Sequence, residues 1–171
     1  NTNMAHIIKP AVATLKDVKA YNVEGGTSTA GTNTRVLNTV TGESWFVTLS
    51  GTGTTGIGGT NTDFTLEPGT YKIVGNFEIY KSDRSFIWLY DVTNSSYSPT
   101  WVGSTSYQHS GTGIGTGQVH LHIPTLTLTS STEFNIKNYV ETGLSTEGFG
   151  VAHDQSGYNT FYGTLQIEKL K

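Results

Sequence analysis

The residue pattern in this sequence that is best suited to a chemical role is a pair of histidines two positions apart. His120 and His122 alternate with three apolar residues: Val119, Leu121 and Ile123. In a strand, both imidazoles would lie on the face opposite these apolar side chains. Imidazole is a common zinc ligand, so three copies of the strand around one axis could surround a metal ion. A solvent-exposed polar face explains the same pattern without metal. The favoured prediction is no metal and no cofactor, with His120 and His122 as the candidate ligands.

Groups that could catalyse a reaction are scattered along the chain. The sequence has no cysteine, and its 5 histidines are dispersed. His153 and Asp154 stand beside Ser156, but adjacent strand residues point to opposite faces, which is poor geometry for a catalytic triad. A G-x-G-x-x-G pattern over 51–56 follows a predicted strand, yet no helix is predicted after it to hold a pyrophosphate. We predict a flexible loop at 51–62 and no enzymatic activity.

Aromatic residues form a stripe on another predicted strand. Phe86, Trp88 and Tyr90 face away from Ile87 and Leu89. Three large rings are too many to leave bare on a soluble monomer. They could pack under the segment 94–117, join a neighbouring subunit, or stack on sugar rings, and the sequence leaves these alternatives open. The candidate contacts to a receptor or glycan are accordingly Trp88, Tyr90, Trp101 and Tyr107.

Composition excludes several classes of function. Charged residues make up 13% of the chain and the formal net charge is −3, so the surface does not attract nucleic acid phosphates. No apolar run approaches the roughly 20 residues that span a bilayer, so no membrane insertion is expected. Threonine, valine, isoleucine and aromatic residues suit pleated, half-exposed surfaces, which favours an all-β class.

The sequence predicts short strands without intervening helices, and the segment 64–94 is the clearest example. It contains two period-two strands separated by a turn at Lys81–Arg84, which we interpret as a half-buried antiparallel pair. About eight to ten strands follow one another at this spacing, as in a sandwich or jelly roll. We predict an extended N-terminal arm and first strand over 1–22, and one domain over 23–171.

Three stretches of the sequence resemble a known family. The frame F-x-L-x-P-G-x-Y-x-I at 64–73, the stretch LTSSTEFNI at 128–136 and the closing F-x-G-x-L-x-I at 161–167 resemble the complement globular-head and TNF-like jelly rolls. The segments 64–94 and 148–152, with the final strand, look closest to jelly-roll domains of bacteriophage virion proteins. The family's Gly-Asp before the late strand is Thr132-Glu133 here, so the calcium sites of some relatives do not carry over.

The resemblance implies a ten-stranded antiparallel β-sandwich that assembles as a homotrimer. The outward faces of the inner-sheet strands should then line the trimer axis. In the last strand, alternation predicts Phe161, Gly163, Leu165 and Ile167 pointing inward and Tyr162 outward. The predicted interface residues are Val74, Tyr80, Tyr139 and Tyr162.

The function implied by this resemblance is structural and non-enzymatic. The chain would be a trimeric module on the virion surface, outside the cell, as a tail fibre, a head fibre or a capsid decoration. Its expected partners are itself, other virion proteins through the N-terminal arm, and a host surface glycan or protein. The alternative is a carbohydrate-binding, lectin-like module.

Overall fold

The computed structural model describes residues 9–111 and 116–171. Within these ranges the chain forms eleven strands and one turn of 3-10 helix, Pro99–Trp101. The strands are β1 (Ala11–Lys19), β2 (Gly31–Thr34), β3 (Thr39–Gly42), β4 (Val47–Leu49), β5 (Asp63–Leu66), β6 (Gly69–Tyr80), β7 (Asp83–Asp91), β8 (Val102–Gln108), β9 (Thr116–Leu128), β10 (Thr132–Val140) and β11 (Thr160–Lys169). In the same ranges no helix is long and apolar enough to cross a bilayer.

The strands form two antiparallel sheets. The first sheet has the order β3-β1-β11-β6-β9. The second sheet has the order β4-β5-β10-β7-β8, with β2 also paired to β10. The predicted all-β antiparallel sandwich is therefore confirmed. Each sheet turns one apolar face toward the other, as period-two alternation requires. Buried side chains from both sheets make one large core cluster, including Leu15, Phe64, Ile73, Phe77, Leu89, Leu121, Phe134 and Leu165. A smaller cluster is formed by Ile79, Val140 and Phe149.

The predicted pairing of the two strands in segment 64–94 is wrong. β6 pairs with β11 and β9, whereas β7 pairs with β10 and β8. The turn between them crosses from the first sheet to the second, with Lys81 and Asp83 at φ +47° and +53°. Alternation correctly gave the buried face of each strand. It does not distinguish a hairpin from two strands whose buried faces oppose each other across a core.

The segment predicted as N-terminal arm and first strand, 1–22, contains the internal strand β1. β1 lies between β11 and β3, and Ala13 and Leu15 are fully buried. Residues 1–8 lie outside the described residues. Residues 24–34 include the short strand β2, and residues 149–151 are irregular, with Phe149 packed against Ile79 and Val140.

The edge strand β9 has a register shift in its pairing with β6 and contacts β8 along its other side. Pro124 lies where the β6–β9 pairing shifts, so the strand has a bulge at this proline. On the other side, the His120 N–H donates to Ser104 Oγ at 3.0 Å. Gly103 packs directly against the His120 carbonyl, and a Cβ there would overlap that oxygen. β8 thus closes the sandwich along β9.

Candidate functional site

The outward face of the first sheet is the first candidate site. Its central row runs across four strands as Thr14, Gln166, Val74 and His122. Val74 is 39% exposed and so presents an apolar side chain to solvent in the middle of a regular sheet. Tyr80 has the same parity on β6 and is half-buried. Two of the four residues predicted at the interface therefore share this face.

Tyr162 does not point outward, contrary to the prediction. It is 1% exposed, whereas Phe161 is 55% exposed. The cause is a bulge: Asp17 pairs with Gly163 and Val18 with Phe161, which leaves Tyr162 as the extra residue. The bulge exchanges the inward and outward positions at this end of β11. Phe161 is therefore the outward aromatic residue, with Lys16 Nζ 5.2 Å from its ring centroid.

Tyr162 is fixed inside by its hydroxyl and by a neighbouring glycine. The hydroxyl donates to the Val23 carbonyl at 2.7 Å. Its ring packs so closely on Gly150 that a Cβ at position 150 would overlap it. Burial raises the pKa of the Tyr162 phenol to about 12, and the negative charges of Glu24, Asp17 and Glu78 act in the same direction. This side chain therefore belongs to the interior of the chain and not to its outward surface.

Arg35 organises the packing around Tyr162, and it was not identified from the sequence. Its side chain is fully buried and its guanidinium carbon lies 4.2 Å and 5.1 Å from the ring centroids of Phe149 and Phe77. Nη1 donates to the Glu78 carbonyl at 2.7 Å and to Asn138 Oδ1 at 2.9 Å. The guanidinium thereby joins β6 of the first sheet to β10 of the second. No local pattern marks it, because it simply follows a polar loop in the sequence.

A second buried charge lies beside Arg35. Burial raises the pKa of Asp17, and the positive charges of Lys19 and Arg35 partly offset this effect. Lys19 Nζ is 3.2 Å from Asp17 Oδ1. Burial also lowers the pKa of the Arg35 guanidinium to about 10, with Asp17 and Glu78 acting in the opposite direction. Arg35 is therefore charged at neutral pH, and the cluster is a buried structural centre.

Tyr139 lies on the other sheet from Val74 and Tyr80, so the predicted four-residue interface is divided between two surfaces. Tyr139 stacks on Phe86 with ring centroids 5.5 Å apart, and Phe86 stacks on Trp88 at 5.3 Å. These half-buried rings, with Tyr90, face outward on β7 and β10, and we call them the aromatic cluster. Lys137 Nζ lies 5.2 Å from the Tyr90 ring centroid. Residues 102–108 do not fold over the cluster, because they form β8 beside β7 in the same sheet.

The structure separates the remaining aromatic candidates. Trp101 turns toward the core and meets Phe134 edge-on, with ring centroids 6.0 Å apart. Tyr107 is exposed on β8, paired with Arg84 rather than beside Trp88. Of the four predicted receptor or glycan contacts, only Trp88 and Tyr90 belong to the aromatic cluster.

His120 and His122 are exposed on the outward face of β9, on the side predicted by alternation. Their cross-strand neighbours are Asn76 and Val74. Within residues 9–111 and 116–171, no three side chains of His, Asp or Glu come together as a metal site. The two histidines therefore offer two ligands per chain.

The two loop regions with possible chemical roles, 153–156 and 51–56, are held by hydrogen bonds. His153 Nδ1 accepts from the Gln155 N–H at 3.2 Å, and the Gln155 amide donates to Asp154 at 3.1 Å, all within one surface turn. The G-x-G-x-x-G residues lie in the irregular connection between β4 and β5, where the Gly56 N–H donates to the Asn38 carbonyl at 2.7 Å.

Comparison with known proteins identifies the fold. No family model and no curated protein matches the sequence. A crystal structure of murine APRIL at pH 8.5 matches with a TM-score of 0.57 and 10% identity, over 95% of this chain and 100% of that one. A second, at pH 8.0, gives a TM-score of 0.54 and 8% identity over the same shares. The chain folds as a TNF-like jelly roll. At this identity the likeness concerns the fold alone, and the phage resemblance stays a prediction.

Proposed function

We propose that the chain is a non-enzymatic structural and binding module that assembles as a homotrimer through the outward face of its first sheet. The observation that carries the proposal is Val74, an apolar residue 39% exposed at the centre of that face. Phe161 and Tyr80 add aromatic surface on the same side. An exposed apolar patch on a regular sheet is typical of a surface that another chain covers.

A second copy of the chain is the occupant that the jelly-roll resemblance favours. The proposed assembly face keeps Val74 and Tyr80 from the sequence prediction and has Phe161 in place of Tyr162. Tyr139 is left out because it lies in the aromatic cluster on the opposite sheet. Tyrosine and phenylalanine supply large apolar contact area, as is common at interfaces.

Light scattering over a range of dilutions tests the assembly. We expect a mass three times that of the chain, persisting on dilution, and a shift toward monomer in Val74→Asp, because a buried unpaired carboxylate is costly. Val102→Asp is the matched control, since Val102 is 41% exposed on β8 of the other sheet. A wild-type monomer at every concentration would overturn the proposal. So would a trimer that Val74→Asp leaves intact.

We further propose that the trimer is carried on the outside of a virion, as a fibre head or a capsid decoration. The support is the sequence resemblance of segments 64–94 and 148–152 to phage virion jelly rolls. Because β1 is part of the sheet, docking onto other virion proteins is proposed for the residues that precede Ala11. Mass spectrometry of washed particles from the source culture tests this placement, and absence of the chain from such particles would contradict it.

A second candidate function is glycan binding by the aromatic cluster, and one observation favours it. Phe86, Trp88 and Tyr139 form a continuous stack of half-exposed rings, with Thr32 and Thr34 of β2 beside β10 as nearby hydroxyls. Aromatic rings combine apolar faces with polar handles, which suits a sugar ring. A glycan array compares the wild type with Trp88→Ala. Trp45→Ala is the control, because Trp45 is 69% exposed elsewhere on the surface. Loss of a glycan signal in both variants, or no signal in the wild type, would reject the cluster as the site.

A further inference from the structure

The two histidines of β9 lie on the proposed assembly face, at the edge of the first sheet. His122 is the direct cross-strand neighbour of Val74, the central apolar residue of that face. Both imidazoles are exposed and lie on the same side of the strand. Any partner that covers Val74 therefore also approaches the histidines.

Charge distribution indicates which edge of this face suits a threefold axis. On such an axis each side chain meets its own copies, so a charged residue there would meet like charges at short range. The exposed residues of β9 include no Asp, Glu, Lys or Arg: they are Thr116, Gln118, His120, His122, Pro124, Thr125 and Thr127. Three of the other four strands of the face carry charge, at Lys72 and Glu78 on β6, Glu168 on β11 and Lys16 on β1. The fourth, β3, is uncharged but only four residues long. β9 is therefore the strand best suited to lie at the axis.

We infer that three copies of the His120–His122 pair together bind one divalent transition metal ion of the zinc or nickel type at that axis. The inference rests on the proposed function, because each chain supplies two ligands and the site is incomplete without the other copies. Imidazole is a preferred ligand of both ions. Three pairs provide between three and six nitrogens, enough for either tetrahedral or octahedral coordination with water completing the shell.

Asn76, the cross-strand neighbour of His120, provides a second observation in support of the metal site. It lies directly across from His120, and its Oδ1 is buried with no hydrogen-bond partner among the described residues. Its amide donates to Gln118 Oε1 at 3.0 Å, and Gln118 in turn donates to Glu78 Oε1 at 2.6 Å. A metal-bound histidine commonly donates its second ring N–H to a carbonyl or carboxylate acceptor. Asn76 Oδ1 is a free acceptor next to the first histidine, on a side chain that hydrogen bonds already hold.

The test uses the full chain, freed of metal with EDTA and then titrated with Zn²⁺ or Ni²⁺ by calorimetry. Light scattering on the same samples, with and without metal, reports assembly separately. We expect saturable binding of one ion per three chains. His120→Asn and His122→Asn should each weaken binding at least tenfold. His153→Asn, in the separate turn 153–155, is the control and should bind as the wild type does.

The outcomes separate the metal site from the assembly. A trimer that binds no ion, or binds it equally well without His122, overturns the metal site and leaves the proposed function standing. One ion per chain on a monomer overturns both, since the pair would then act as a chelate within one protomer. Asn76→Ala supplies a further readout: it should weaken metal binding while the metal-free trimer mass stays unchanged. Unchanged affinity in Asn76→Ala would reject the orienting role of that residue.

Discussion

The main-chain oxygen of Tyr162 accepts a hydrogen bond from Arg35 Nη2 at 3.1 Å. This bond links the bulge in β11 to the buried guanidinium. A bulged residue is left out of the regular ladder, so its carbonyl needs another partner. Arg35 supplies that partner from inside the sandwich. The same bulge turns the Tyr162 ring inward and the Phe161 ring outward. The position of an aromatic residue on the proposed assembly face thus depends on an arginine in the core.

Replacing Arg35 should cost much of the stability of the fold. Arg35→Met leaves three acceptors without their donor: the carbonyls of Glu78 and Tyr162 and the amide oxygen of Asn138. Each unsatisfied buried acceptor costs about 1–3 kcal/mol, so we expect the free energy of unfolding to fall by about 3 kcal/mol or more. Urea unfolding measures it. The control is Arg84→Met, whose side chain is 69% exposed, with an expected change within about 1 kcal/mol. Equal losses in the two variants would contradict the role assigned to Arg35.

Tyr162 gives a prediction for alkaline pH. Its pKa is raised to about 12 from an ordinary value of 10.0, so the folded state holds the phenolic proton more tightly than the unfolded state. The associated stability is fully present below pH 10 and is lost as the pH rises toward 12. We expect Tyr162→Phe to be less stable than the wild type by about 1 kcal/mol at pH 7, because the bond to Val23 is lost. Unfolding curves at pH 7, 10 and 11.5 test this, and a gap between the two proteins that does not narrow with pH would contradict it.

Asp83 gives the corresponding prediction for acid. Its carboxylate accepts from the Ser110 N–H at 3.0 Å, the Ser110 hydroxyl at 2.6 Å and the Thr142 hydroxyl. These hydrogen bonds lower the pKa of Asp83 to about 2, and the bond from the Ser110 hydroxyl has the largest effect. A lowered pKa stabilises the fold above the unfolded value of 3.8, and the stabilisation is lost as the pH falls through about 2.

Asp83→Asn tests this with little change to the backbone. Asp83 has a φ of +53°, and asparagine tolerates that left-handed conformation as well as aspartate does. We expect the variant to unfold at lower urea than the wild type at pH 6, and the two midpoints to converge as the pH approaches 2. Parallel midpoints at pH 6, 4 and 2 would show that ionisation of Asp83 does not contribute.

Which face of a strand is buried could be predicted from the sequence, because it is decided within that strand. Bulges and the assignment of strands to sheets could not, because they depend on other strands. The faces of β9, with Val119 and Leu121 buried and His120 exposed, follow from period two alone. The same reasoning misplaced Tyr162, because a bulge depends on the partner strand β1. Which sheet receives β7 is decided by the loop geometry and the core, neither of which alternation encodes.

The candidate site was predictable to a similar extent. Val74 and Trp88 were identified correctly as outward residues because they lie in long, regular strands. Tyr139 was grouped with Val74 because both have outward parity, although their strands belong to opposite sheets. Arg35 could not be found from the sequence, since its burial comes from contacts more than 40 residues away along the chain, as with Glu78 at a separation of 43.

Two tryptophan variants separate a core role from a surface role in the second sheet. Trp101 packs against Phe134, so Trp101→Ala should lower the free energy of unfolding by about 2 kcal/mol, since it removes a half-buried ring from the core. Trp88→Ala removes one stacking contact with Phe86 and should cost about 1 kcal/mol. Any glycan or receptor signal should behave in the opposite way, with binding lost in Trp88→Ala and retained by folded Trp101→Ala. Urea unfolding and the glycan array give the two readouts. Binding that survives in Trp88→Ala but not in folded Trp101→Ala would move the contact surface from the aromatic cluster to the Pro99–Trp101 turn.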